Sequence, residues 1–161
     1  MNAETMFKDY WKMKQEQVVL EFQMKNFKGV SRDDVIESMC FSHHCGERVQ
    51  DSKVSDKTGN TAVIYRKVAE RIEDEWFDSL IGQYEYNQQE IDFFEYSVTQ
   101  LSGRLPEFIQ DLVIEHLSWE ELMAKYCVGH SMVAKYRKKA MGELNVLYQL
   151  RDKHVENYLL S

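Results

Sequence analysis

The sequence predicts an all-α protein: a helical N-terminal module with a long connecting helix, followed by a C-terminal helix-turn-helix. Three observations predict it. Apolar residues recur at helical spacing through most of the 161 residues, and most clearly between Ile64 and Leu101. Turn-formers are scarce, with one proline and seven glycines, where a sandwich or barrel would need more of both. No segment makes a defensible strand, and no internal repeat is present. A content of 43% hydrophobic and 29% charged residues is enough for a packed core and argues against wholesale disorder.

The elements follow in order. From Glu4 to Phe27 the residues Phe7, Tyr10, Trp11, Val18, Phe22 and Met24 stand among Lys, Gln and Glu, which predicts an amphipathic helix stopped near Gly29. Ser31 opens a second helix, with Asp33 and Asp34 suited to the positive end of its dipole. Val35, Ile36, Met39 and Cys40 are its apolar stripe, and Gly46 ends it. Residues 47–60 read as a polar loop, after which Asn60 or Thr61 caps a long helix over about 61–102. Its stripe runs Ile64, Val68, Ile72, Trp76, Leu80, Tyr84, Ile91, Phe94, Val98 and Leu101, interrupted only at Asn87. Counting Asn87, that is 37 residues in ten steps, or 3.7 per step, close to the helical 3.6. Unbroken, such a helix is on the order of 60 Å long. Gly82 and the polar stretch 86–89 offer places to kink. The N-terminal half is expected to pack on the first two helices, while a homodimer through this helix stays open. Gly103 and Pro106 mark a boundary, dividing the chain into a module of residues 1–103 and a domain of residues 104–161. A short helix from Pro106 to about His116 follows. Ser118 and Glu121 then form a capping box for a helix ending near Tyr126, and Cys127 to Ser131 turn into a last helix running from about His130 to the 147–150 region. The tail beyond it is expected to fray.

The formal net charge of −7 speaks against a protein that coats nucleic acid non-specifically. No window approaches 18 apolar residues, so no membrane span is expected. The first residues carry neither a basic nor an apolar leader, and three cysteines are an odd count. Reduced thiols and a cytoplasmic location are the simplest expectation. Nucleophile elbow, phosphate loop and spaced carboxylate pair are all lacking, so enzymatic activity has no positive support. Glu73 and Asp92 are expected to face solvent, and the aromatic stripe of Trp76, Tyr84 and Phe94 to be core or subunit contact.

Residues 105–144 carry the functional signal. Two helices joined by a short turn form a helix-turn-helix, in which the first braces the second against a DNA major groove. Leu122, Tyr126, Val128, Val133 and Tyr136 supply buried positions, and Gly129 a flexible residue where the second helix begins. Between Leu122 and Gly142 stand five basic residues, Lys125, Lys135, Arg137, Lys138 and Lys139, and no acidic one. On the last helix Val133, Ala140, Leu144 and Leu147 define a buried face. Ser131, Lys135 and Lys138 lie opposite, flanked by Met132 and Lys139. A basic face opposite an apolar one is what a DNA-facing helix requires.

Leu105 and Pro106, the run 117–122 (Leu-Ser-Trp-Glu-Glu-Leu), Val133 and the basic run up to Leu144 resemble region four of sigma-70-type RNA polymerase sigma factors. The resemblance covers about 40 residues. A looser likeness over most of the chain is to small phage- and prophage-type proteins that end in such a region. Cys127 stands where many such turns have glycine, and Met123 where they often have alanine. No segment resembles the promoter-melting region of a complete sigma factor, which makes a sigma-like regulator the better expectation than a stand-alone initiation factor. The resemblance implies double-stranded DNA as a partner, and RNA polymerase core as a further one. It implies base-edge contact by Lys135 with His130, Ser131 and Met132, and phosphate contact by Arg137, Lys138 and Lys139. No cofactor is implied. The alternative is a helical protein-protein interaction module without DNA binding.

Cys40, His43, His44 and Cys45 invite a metal reading. On one helix, however, Cys45 sits roughly 140° from the other three. All four could meet one zinc only if the helix ended near His44, and a buried Cys40 beside surface histidines at a helix C-terminus is the simpler expectation.

Overall fold

A computed structural model describes residues 2–42 and 57–160. Among the described residues six α-helices and one π-helical turn occur, and no strand: α1 (Ala3–Lys25), α2 (Arg32–Ser42), α3 (Lys57–Thr99), α4 (Leu105–Ile109), the π turn (Gln110–Ile114), α5 (Trp119–Tyr126) and α6 (His130–Leu159). The all-α expectation holds. No described helix is long and apolar enough to cross a membrane. The chain divides into two compact units, one of Met1–Val19 with Glu85–Ser161 and one of Leu20–Tyr84; the turn at Gly103 lies within the first.

The larger unit is built on one core. Ala3, Met6, Tyr10 and Met13 of α1 pack with Ile91, Phe94 and Val98 of α3 and with Leu101 just past its end. Those sets advance by alternating steps of three and four, the seam that two helices present to each other over successive turns. The pairing is antiparallel, since Gln17 bonds Gln88 while Tyr10, nearer the start of α1, donates its hydroxyl to Glu95 Oε1 at 2.6 Å, further along α3. Glu95 also holds Lys14 at 3.0 Å. Burial alone would raise its pKa, but the hydrogen bonds from Tyr10 and Lys14 outweigh it and hold the carboxyl below its usual range. The buried face of α1 departs from the expected one: Trp11, Val18 and Phe22 are exposed, and Ala3, Met6 and Met13 take the inside with Tyr10. The regular three-four step selects the seam, and Trp11 and Phe22 fall outside it.

Beyond Leu101 the chain turns at Gly103, whose φ of +63° is left-handed. Pro106 sits in the first turn of α4, where its missing N–H leaves no bond unmade. Phe108 lies edge-on to Tyr126 and Tyr136, with ring centroids 5.5 and 5.3 Å away. The helix expected from Pro106 to His116 is thus α4 continued as a π turn to Ile114, closed by Leu117 N–H bonding Asp111 O at 2.9 Å around a left-handed His116.

In the smaller unit Ser31 caps α2 by accepting the Asp34 N–H at 3.2 Å, as expected. Val35 is buried, but Ile36 is exposed, so the α2 stripe is narrower than its sequence suggests. Gly29, at φ +87°, brings Val30 N–H to Glu73 Oε1 at 3.2 Å; a Cβ on it would overlap that carboxylate. Phe27 packs on Trp76 and Phe77 of α3, and Tyr84 donates to Glu21, so this half of α3 does meet the preceding segment.

Three boundaries differ from expectation. α3 begins at Lys57, so residues 57–60 are helical and Asn60 and Thr61 lie inside the helix and not at its cap. Extending a formed helix adds one bond per residue fixed, which outweighs the weak helix propensity of this stretch. α3 also runs unbroken through Gly82 and residues 86–89, because Asn87 and Glu90 are buried in the packing. α6 continues to Leu159, well past the 147–150 region. Its extension is held by Arg151 Nη1 bonding Glu90 Oε1 at 2.9 Å. The remainder of the polar loop, Gly46 and the group Cys40, His43, His44 and Cys45 fall outside the residues whose side chains are described.

Candidate nucleic-acid interface

Local sequence rules assemble α5 and α6. Ser118 Oγ accepts the Glu121 N–H at 3.3 Å, and Glu121 Oε2 accepts the Ser118 N–H at 2.7 Å, completing the reciprocal capping box. The backbone N–H of Ser118, then its hydroxyl, hold the Glu121 carboxyl below its usual pKa. Leu122 and Val133 are fully buried, with Tyr126, Val128 and Tyr136 partly buried against the same core.

The turn between them is Cys127, Val128 and Gly129. Cys127 carries the left-handed conformation (φ 52°, ψ 44°), and its N–H closes α5 onto Met123 O. Gly129, expected to supply the flexibility, has instead an extended backbone at φ −81° that any residue adopts. The strain therefore sits on the cysteine. A non-glycine residue in this region is disfavoured by about 1–2 kcal/mol. Cys127→Gly is expected to raise stability by roughly 0.5–1 kcal/mol, the remainder offset by the freer unfolded chain. Urea denaturation followed by circular dichroism measures it, and a lower midpoint for the variant would refute the strain assignment.

A brace absent from the sequence pattern ties α5 to the π turn. Asp111, largely buried, accepts from Lys125 Nζ at 2.7 Å and from the Tyr126 hydroxyl at 2.6 Å. Burial raises the Asp111 pKa, but both hydrogen bonds and the Lys125 charge outweigh it and leave it lowered. Tyr126 is pushed up by burial and by this carboxylate. Lys125, one of the five basic residues, is thus tied to Asp111 although its side chain stays exposed.

The remaining basic residues separate by position on α6. The buried face is Val133, Ala140, Leu144 and Tyr148; Leu147, expected there, is only partly buried, because Tyr148 takes the inward place edge-on to Phe93 at 4.8 Å. Ser131, Lys135 and Lys138 are exposed on the opposite side, as is Lys139. Among the described residues neither Lys135 nor Lys138 has an ion-pair partner, whereas Lys139 Nζ lies 3.8 Å from Glu143. Glu143 in turn accepts the Ser102 N–H at 2.9 Å and its hydroxyl at 2.7 Å, which with the Lys139 charge keep its carboxyl below the usual range. Met132 is half-buried beside this face. His130 and Arg137 stand elsewhere. The His130 ring rests on Trp119, centroids 4.5 Å apart, and the Arg137 guanidinium lies 5.9 Å over the Phe7 ring of α1. The structure therefore brings together Ser131, Lys135, Lys138 and Lys139, and sets Arg137 against the N-terminal helix.

No metal-holding group of histidine, cysteine, aspartate or glutamate occurs among the described residues. Compared with protein-family models, with curated proteins and with solved structures, the chain matches none.

Proposed function

We propose that this protein is a sequence-specific DNA-binding regulator of transcription that inserts the start of α6 into a major groove, acting by binding alone. The observation that carries the reading is the exposed pair Lys135 and Lys138 on the outer face of α6, without a carboxylate partner among the described residues, inside a chain of net charge −7. Fixed positive charge on one face meets phosphates, and the acidic remainder repels DNA from every other approach. A three-residue turn between α5 and α6, with Leu122 and Val133 buried in one core, supports this reading. Lys135, with Ser131 and Met132, is assigned to base edges, while His130, stacked on Trp119, is left at the margin; Lys138 and Lys139 are assigned to phosphates. Arg137 braces α6 on α1 and contributes charge at the margin. RNA polymerase core as a partner belongs to the same reading, through the sigma-region-four likeness alone.

Gel shift against random duplex at low and moderate salt tests it. Lys138→Ala combined with Lys139→Ala is expected to weaken binding to all sequences, by about tenfold at low salt, and to flatten the logarithmic salt dependence by about two. Equal binding by variant and parent across salt concentrations would sink the assignment. No binding by the parent at low salt would favour the rival, a protein-binding module.

A further inference from the structure

α3 and α6 each carry an interior glycine whose absent side chain serves no packing purpose. A Cβ on Gly82 or Gly142 would meet nothing within 4 Å, and neither has a left-handed backbone. Glycine is the poorest helix former after proline, so the fold alone would prefer another residue at both. The two differ in surroundings. Gly142 lines a shallow, open depression on α6 together with Lys135, Lys138, Lys139, Glu143 and Val146. Ser131, Lys135, Lys138 and Gly142 fall within an arc of about 60° at 100° per residue, so they form one line along the outer face.

We infer that Gly142 is where the sugar-phosphate backbone of a DNA duplex passes closest to α6, with Lys138 and Lys139 gripping the phosphates on either side. The inference rests on the proposed DNA-binding function and adds a positioning residue to it. Gly142 stands about 16 Å along the helix from Ser131, at 1.5 Å per residue. A major groove is about 12 Å wide and 8.5 Å deep, so a helix that touches bases near Ser131 has reached the phosphates by Gly142. Helix backbone without a side chain lets another chain approach about 3 Å closer than a clothed helix does. Charge complementarity selects the occupant. Three lysine side chains line the depression, mostly through their methylenes, each carrying a positive charge at its end, and its one carboxylate, Glu143, is turned to Ser102 and Lys139.

The test replaces Gly142 by alanine and by leucine in the full chain, with Gly82→Ala as comparison, and measures both melting temperature and binding to a random duplex. Alanine at either position is expected to raise the midpoint by about 2–4 °C. Gly82→Ala should bind DNA as the parent does. Gly142→Ala should bind a few times more weakly, and Gly142→Leu at least about tenfold more weakly with no loss of melting temperature. Unchanged DNA affinity in Gly142→Leu, with the parent binding, overturns the inference and leaves the proposed function standing. Failure of the parent itself to bind overturns both. A Gly142→Leu midpoint more than 5 °C below the parent, with Gly142→Ala binding as the parent does, would also overturn it, because the glycine would then serve the fold.

Discussion

Truncation of Phe108 to alanine is expected to destabilise the larger unit by about 3–5 kcal/mol, the range for removing a fully buried aromatic ring. The reason is the number of partners lost at once. Phe108 is 1% exposed and stands edge-on to both Tyr126 at the end of α5 and Tyr136 on α6. Each such aromatic pair contributes about 0.5–1.5 kcal/mol beyond area burial. Neither tyrosine can collapse into the space. Tyr126 is pinned by Asp111 through its hydroxyl, and Tyr136 sits on a helix held by Val133 and Ala140. Against a total stability of roughly 5–15 kcal/mol, the loss takes a large share. Thermal unfolding should show a midpoint lower by roughly 10 °C. A fall of less than about 3 °C would mean that the α4–α5–α6 contact is not the centre of this core.

Replacing Arg151 by leucine should cost about 3 kcal/mol, chiefly through what it leaves behind. Glu90 is 7% exposed; its Oε1 accepts from Arg151 Nη1, and its Oε2 has no partner among the described residues. A carboxylate so enclosed is tolerable only beside a cation, and removing one member of a buried pair typically costs about 3–5 kcal/mol. The guanidinium also lies 4.5 Å over Phe93 and 4.8 Å over Tyr148, so part of the loss is stacking. The double replacement Arg151→Leu with Glu90→Gln separates the two contributions. It should recover more than half of the stability lost in the single variant, because no stranded charge remains. Urea midpoints for parent, two single variants and the double variant complete the cycle. A double variant no better than Arg151→Leu would show that packing, not charge, carries the loss.

The helices were legible in the sequence where local rules act. The Ser118–Glu121 box and the Pro106 start need only neighbours three or four residues away, and both stand where expected, whereas the long helix ends at Thr99, before the expected stop at Gly103. The buried face of α1 was misread because aromatic size was weighed above step regularity. Ala3, Met6, Tyr10 and Met13 advance by three, four and three; Trp11, Val18 and Phe22 lie off that line and are exposed. At the candidate interface the exposure of Lys135 and Lys138 was legible from helical period alone. The fates of Lys125 and Arg137 were not. They depend on Asp111, fourteen residues before Lys125, and on Phe7 in α1, partners that no spacing within the segment reveals. Cys127 was seen as a departure from glycine, but only the backbone angles show that it carries the left-handed residue of the turn.

The antiparallel pairing of α1 with the second half of α3 joins Gln17 to Gln88 across 71 positions of chain, with the whole Leu20–Tyr84 unit between them. The entropy of closing such a loop grows only logarithmically, by about 0.6 kcal/mol for each doubling of its length. Its thermodynamic influence on the larger unit is accordingly slight, while its kinetic influence is large: nascent α1 has to wait for nearly a hundred residues before its seam has a counterpart. Insertions and deletions within the intervening excursion are therefore the changes in length that this architecture absorbs most readily. A shift of one residue in either paired helix would rotate every seam position away from its mate.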